Sequence, residues 1–82
     1  MAPINPAVAS VAPASKEIVE ARDKAILAAL KYRPRSAYAL LREMPNEPAQ
    51  TDVQRIVARD SALIRLGVKK LIRQTSEGWV LA

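Results

Sequence analysis

Apolar residues recur along this chain in three stretches at helical spacing, followed by two short runs near the C-terminus. In the first stretch Val19, Ile26, Leu27 and Leu30 follow the 3.6-residue period. Ser15 stands where an N-cap belongs, and Glu17 and Glu20 place acid near the positive end of the helix dipole. A first helix over residues 16–32 is predicted. Lys31 and Arg33 suit its C-terminal end, because Pro34 biases Arg33 away from helical geometry. Ser36 then caps a short second helix carrying Tyr38, Leu40, Leu41 and Met44, which Pro45 stops.

Residues 45–50 hold two prolines and an asparagine, which is turn chemistry. Thr51-Asp52-Val53-Gln54 follows as a capping box, so a third helix begins there and is expected over about residues 51–66. Val53, Ile56, Val57, Leu63 and Ile64 form its apparent core stripe, Asp60 interrupts that stripe, and Gly67 is the natural C-cap. After Gly67, Val68-Lys69-Lys70-Leu71-Ile72-Arg73-Gln74, a polar turn ending in Gly78, and Trp79-Val80-Leu81 make a candidate hairpin over about residues 68–82. A competing register exists. Ile64, Val68, Leu71 and Ile72 also fit a helical face, and with Ala58 at the small position they fit a helix-turn-helix whose second helix is about 64–73. The two registers disagree on whether residues 68–74 are strand or helix.

Composition narrows the chemistry. The 82 residues allow one domain, and residues 1–14, with three prolines and no charged side chain, are expected to form a disordered or extended arm outside a domain of residues 15–82. With no Cys and no His, thiolate, imidazole and zinc chemistry are excluded, and no cofactor or metal is expected. Asp60 and Glu77 are isolated, and Ser61 has no imidazole to activate it, so no catalytic residue is assigned and no enzyme is expected. No apolar run is long enough to span a bilayer, and Pro3, Pro6 and Pro13 interrupt any signal-peptide core, which makes the cytoplasm the expected location.

Charge points toward a polyanion. Thirteen Lys and Arg against eight Asp and Glu give +5, and between Val53 and Arg73 six basic residues stand against Asp60 alone. Arg59-Asp60, then Ala62-Leu63-Ile64-Arg65-Leu66-Gly67-Val68, then Gly78-Trp79-Val80-Leu81 resemble the third helix and wing of small bacterial winged helix-turn-helix domains, of the biotin-repressor-like and DeoR-like type. The spacing after Asp60 is one residue shorter than in that family. The resemblance implies a mainly α fold of three helices with a small β-hairpin, and selects the strand register for residues 68–74.

It also implies sequence-specific binding of double-stranded DNA by a small transcriptional regulator, a repressor or accessory factor. A homodimer on a two-fold site is expected on grounds of economy, because one module of this size buries only about 600–1,000 Å² on DNA. On that reading Gln50, Thr51, Gln54, Arg55 and Arg59 form the polar face of helix three, where Gln suits adenine and Arg suits guanine. Lys69, Lys70 and Arg73 would meet phosphates beside the wing or protect a strand edge, and Arg35 would touch a phosphate at the start of helix two. Trp79, Tyr32 and Tyr38 are expected to pack. The alternative is a winged-helix protein-interaction module that binds or inhibits a larger machine such as a polymerase.

Overall fold

The computed structural model describes residues 15–48 and 50–82, and the expected N-terminal arm lies outside them. Among the described residues the chain forms three helices, α1 (Lys16–Ala29), α2 (Ala37–Glu43) and α3 (Asp52–Val68), and an antiparallel hairpin of β1 (Ile72–Thr75) and β2 (Gly78–Leu81). The fold is mainly helical with a small β-hairpin, in a winged-helix-like arrangement. No helix among the described residues is long and apolar enough to cross a membrane.

Each helix starts where the sequence places a cap. The Ser15 hydroxyl accepts the Ile18 N–H, the Ser36 hydroxyl accepts the Ala39 N–H, and Thr51 and Gln54 exchange both bonds of a capping box at 3.1 and 2.9 Å. The helix ends differ from expectation. Helix α1 stops at Ala29 rather than residue 32, because the chain turns at Leu30–Tyr32 to bring Arg35 beside β2. Arg35 Nε donates to the free Ala29 carbonyl at 3.3 Å, and this closes the helix. Tyr32, left in that turn, is 84% exposed instead of packed.

Helix α3 runs through Gly67 and ends two residues beyond the expected boundary. The left-handed residue that ends it is Lys70, at φ 60°. Leu71 N–H donates to the Leu66 carbonyl and Lys70 N–H to the Gly67 carbonyl, both at 3.0 Å, the paired bonds of a Schellman motif. That reversal breaks the helical register proposed for residues 64–73, so the segment after Leu71 is strand and the wing spans Ile72–Leu81.

The hairpin pairs Ile72 with Leu81, Arg73 with Val80, Gln74 with Trp79 and Thr75 with Gly78. Arg35 adds a bridge to Trp79, with Arg35 N–H donating to the Trp79 carbonyl at 3.0 Å and Trp79 N–H donating back at 2.8 Å. Gly78 makes this approach possible. Its φ is 122°, and a Cβ there would lie 2.6 Å from the Arg35 carbonyl oxygen.

The core is small and aliphatic: Ile26, Ala29 and Leu30 from α1, Leu40 with Met44 from the α2 end, Ala58, Ala62, Leu63 and Leu66 from α3, and Ile72 from β1. Trp79 is half-buried against it, as expected of a packing residue, whereas Tyr38 is 70% exposed and carries the Arg42 guanidinium 5.7 Å from its ring centre. Two ion pairs tie the elements at the core's edge. Asp23 on α1 receives Arg65 of α3 at 2.8 Å, and Glu47, in the loop before α3, receives Arg22 of α1 through two bonds of 2.7 and 2.5 Å. The Arg22 bonds hold the Glu47 carboxyl below its ordinary value of 4.5, against the opposing effect of burial.

Lys70→Gly relieves left-handed strain and Gly67→Ala removes a flexible residue from an open helical position, so each is expected to stabilise the fold by about 0.5–1 kcal/mol in urea denaturation. If Gly67 were the C-cap, Gly67→Ala would destabilise instead. For Glu47, a folded-state value lower than the unfolded one contributes stability that is complete above about pH 4.5 and disappears as pH falls through the folded value. Urea midpoints measured from about pH 6 to about pH 3 are expected to fall less steeply in Glu47→Gln than in the parent.

Candidate interaction surface on helix three

The orientation of α3 about its own axis decides which residues this protein offers to a partner. Ala58, Ala62, Leu63 and Leu66 face the core, and the two alanines, four apart, allow close approach of the neighbouring helices. With that phase Arg55 and Arg59 also turn inward. Arg55 reaches the C-terminal end of α2, its Nη2 donating to the Leu41 carbonyl at 3.0 Å and its Nη1 to the Pro45 carbonyl at 3.3 Å. These carbonyls lie where a helix leaves acceptors without partners, so a cation there is stabilising. Arg59 donates to the Ala37 carbonyl at 3.2 Å and pairs with Asp60 at 2.7 Å, leaving its side chain 14% exposed.

The residues expected to form the reading face are therefore divided. Thr51 and Gln54 spend their capping-box groups on each other, and Gln50 is half-buried with Oε1 enclosed and unpaired. Arg35 closes α1 and bridges to Trp79. Lys69, Lys70 and Arg73 are exposed at the α3–β1 junction and on β1, and have no ion-pair partner among the described residues. The structure thus groups these three on the surface, and places Arg55, Arg59 and Arg35 in the framework.

What α3 presents outward is mainly apolar, with the exposed Asp60 carboxylate within the row. Val53, Ile56, Val57, Ile64 and Val68 are between 40% and 77% exposed, and Leu71 just beyond the helix continues the row. Four of the five residues expected to be its core stripe lie on the solvent side; Leu63 alone is buried. The sequence did contain a signal for this phase: Ala58, Ala62 and Leu66 also recur every four residues. Alanine contributes little to a hydrophobic pattern, and Arg55 and Arg59 in the same row resemble a polar face. Their bonds to α2 carbonyls depend on where a second helix lies.

An open groove beside this row is lined by Leu27, Ala28 and Lys31 of the α1 end, and by Leu71, Leu81 and Ala82. Comparison with protein-family models, curated proteins and solved structures gives no match.

Arg55→Ala is expected to lower stability by about 1.5–3 kcal/mol, because it leaves two carbonyls at the α2 end without their charged donor. A solvated surface arginine would change it by less than about 0.5 kcal/mol. Urea denaturation distinguishes the two, and Arg55→Lys, which cannot fork across both carbonyls, is expected to recover only part of the loss.

Proposed function

We propose that this chain is a winged-helix-like protein-interaction module that docks a protein partner through the outward face of α3. One observation carries this reading: the row Val53, Ile56, Val57, Ile64 and Val68 is exposed while Arg55 and Arg59 on the same helix are committed to intramolecular bonds. A helix read against DNA needs donors aimed at base edges and phosphates. An exposed row of branched aliphatic side chains instead gains by leaving water against another apolar surface.

A second reading, duplex DNA held at the hairpin edge, draws on the exposed Lys69, Lys70 and Arg73 and on the net charge of +5. It would hold phosphates rather than read bases.

Site-specific photo-crosslinking in cells expressing the full chain separates these readings. A photoreactive residue at position 57 or 64 is expected to give discrete protein adducts, and one at Lys24 on the exposed side of α1 is expected to give none. Adducts to nucleic acid from position 70 or 73, with none to protein from 57 or 64, would favour the second reading. Absence of any adduct at 57 and 64 would discard the first.

A further inference from the structure

We propose that the groove beside the apolar row of α3 binds an extended segment of another protein, one that joins apolar side chains to carboxylates. The proposal rests on the reading of this chain as a protein-interaction module and adds the chemistry that its partner brings. The groove lies between the end of α1 and the base of the hairpin, where Leu27, Ala28, Leu71, Leu81 and Ala82 make an aliphatic wall and Lys31 is the polar residue among them. Leu71 belongs to both surfaces, because it also continues the exposed row of α3.

The charge around this groove has one sign. The segments that supply its walls, residues 24–42, 61–76 and 78–82, contain no Asp or Glu. On them Lys31, Arg33, Lys69, Lys70 and Arg73 are exposed and have no ion-pair partner among the described residues. Of the acids that border these segments, Asp23 and Asp60 are paired with Arg65 and Arg59, and Glu43 ends α2. Glu77 stands at the hairpin turn, roughly 15 Å along the strand from Leu71. An aliphatic groove within a cationic, acid-free surround matches a ligand that is apolar where it enters and anionic where it leaves.

Shape and backbone select a peptide as that ligand. A groove takes up a ridge of side chains, whereas a bilayer is met by apolar residues that protrude from a face. Duplex DNA would use the lysines and leave the aliphatic wall unfilled. Strand β2 also keeps an open edge here. Trp79 N–H and C=O both bond to Arg35, so those of Leu81, two residues on, point to the same edge. The Ala82 N–H bond to the Leu71 carbonyl agrees with that alternation, and no backbone bond reaches Leu81 on the open side among the described residues. An extended segment can add at such an edge.

Selection of random dodecapeptides displayed on phage against the full chain tests this. Enriched sequences are expected to combine Leu, Ile, Val or Phe with several Asp or Glu. Synthetic copies are expected to bind with dissociation constants of about 1–100 μM by fluorescence anisotropy, about tenfold more weakly when their acids are replaced by amides. Their addition is expected to shift the NMR amide signals of Leu27, Ala28, Lys31, Leu71 and Leu81. Leu71→Asp is expected to weaken binding at least about tenfold. Lys31→Glu with Lys69→Glu changes only exposed, unpaired residues, and repeating the selection on that variant is expected to enrich Lys and Arg in place of Asp and Glu.

No enrichment, enrichment of peptides without acids, or an unchanged preference after the two lysines are reversed would overturn the proposal. Binding to phosphatidylglycerol vesicles that Leu71→Asp abolishes, with no peptide enriched, would assign the groove to a lipid surface instead. The position of the shifts separates this failure from failure of the docking reading. Acidic peptides that shift Val53, Ile56 and Val57 and leave Leu27 and Leu81 unmoved would keep α3 as a docking face and remove the groove. Shifts at the groove, with no crosslinks from positions 57 and 64, would keep the groove and remove the docking face.

Discussion

The phase of α3 about its axis is the constraint on which the rest of this structure depends. With Ala58, Ala62, Leu63 and Leu66 turned to the core, the helix packs closely, Arg65 meets Asp23, and Arg55 and Arg59 meet the carbonyls of the segment from Ala37 to Pro45. Rotation by half a turn would bury Val53, Val57 and Ile64, but it would also carry the guanidinium groups away from those acceptors. Burial of larger side chains competes here with hydrogen bonds at a helix end, and the structure keeps the bonds. The cost is the apolar row left in water.

The composition makes that outcome intelligible. A domain of this size with no Phe has little apolar volume to bury, so polar ties at the edge of the core carry a larger share of its specificity. Five arginines serve this purpose. Arg22 and Arg65 pair with carboxylates across elements, Arg35 and Arg55 occupy helix ends, and Arg59 spans from α3 to the start of α2. Guanidinium suits these places because its planar fork can satisfy two acceptors while its aliphatic stem packs along the core. Much of the positive charge is thus structural.

This division changes the meaning of the basic character. Counted along the sequence, six basic residues between Val53 and Arg73 suggest a surface for a polyanion. Placed in the fold, three of them are committed internally, and Lys69, Lys70 and Arg73 remain at the hairpin edge. The same placement exposes aliphatic residues over the length of α3, with acid at one end and lysine at the other. A docking helix is the reading we propose for that surface.

The elements, their order and their starting points were legible in the sequence, because caps act between residues three apart and need no tertiary partner. Ser15, Ser36 and the Thr51–Gln54 pair each cap the helix that their local pattern predicted, and the hairpin forms after α3 with Gly78 at its turn. The ends were less legible. Helix α1 stops where Arg35 returns to its last carbonyl, and α3 stops at Val68, before the left-handed Lys70, although Gly67 was the better local candidate. The candidate site was legible only as a set of residues, since α3 carries two stripes, one of large aliphatics and one of alanine, leucine and arginine. Which stripe is buried depends on acceptors supplied by another helix. Sequence determined that α3 is amphipathic in two ways, and tertiary structure chose between them because hydrogen bonds to α2 exist in only one rotation.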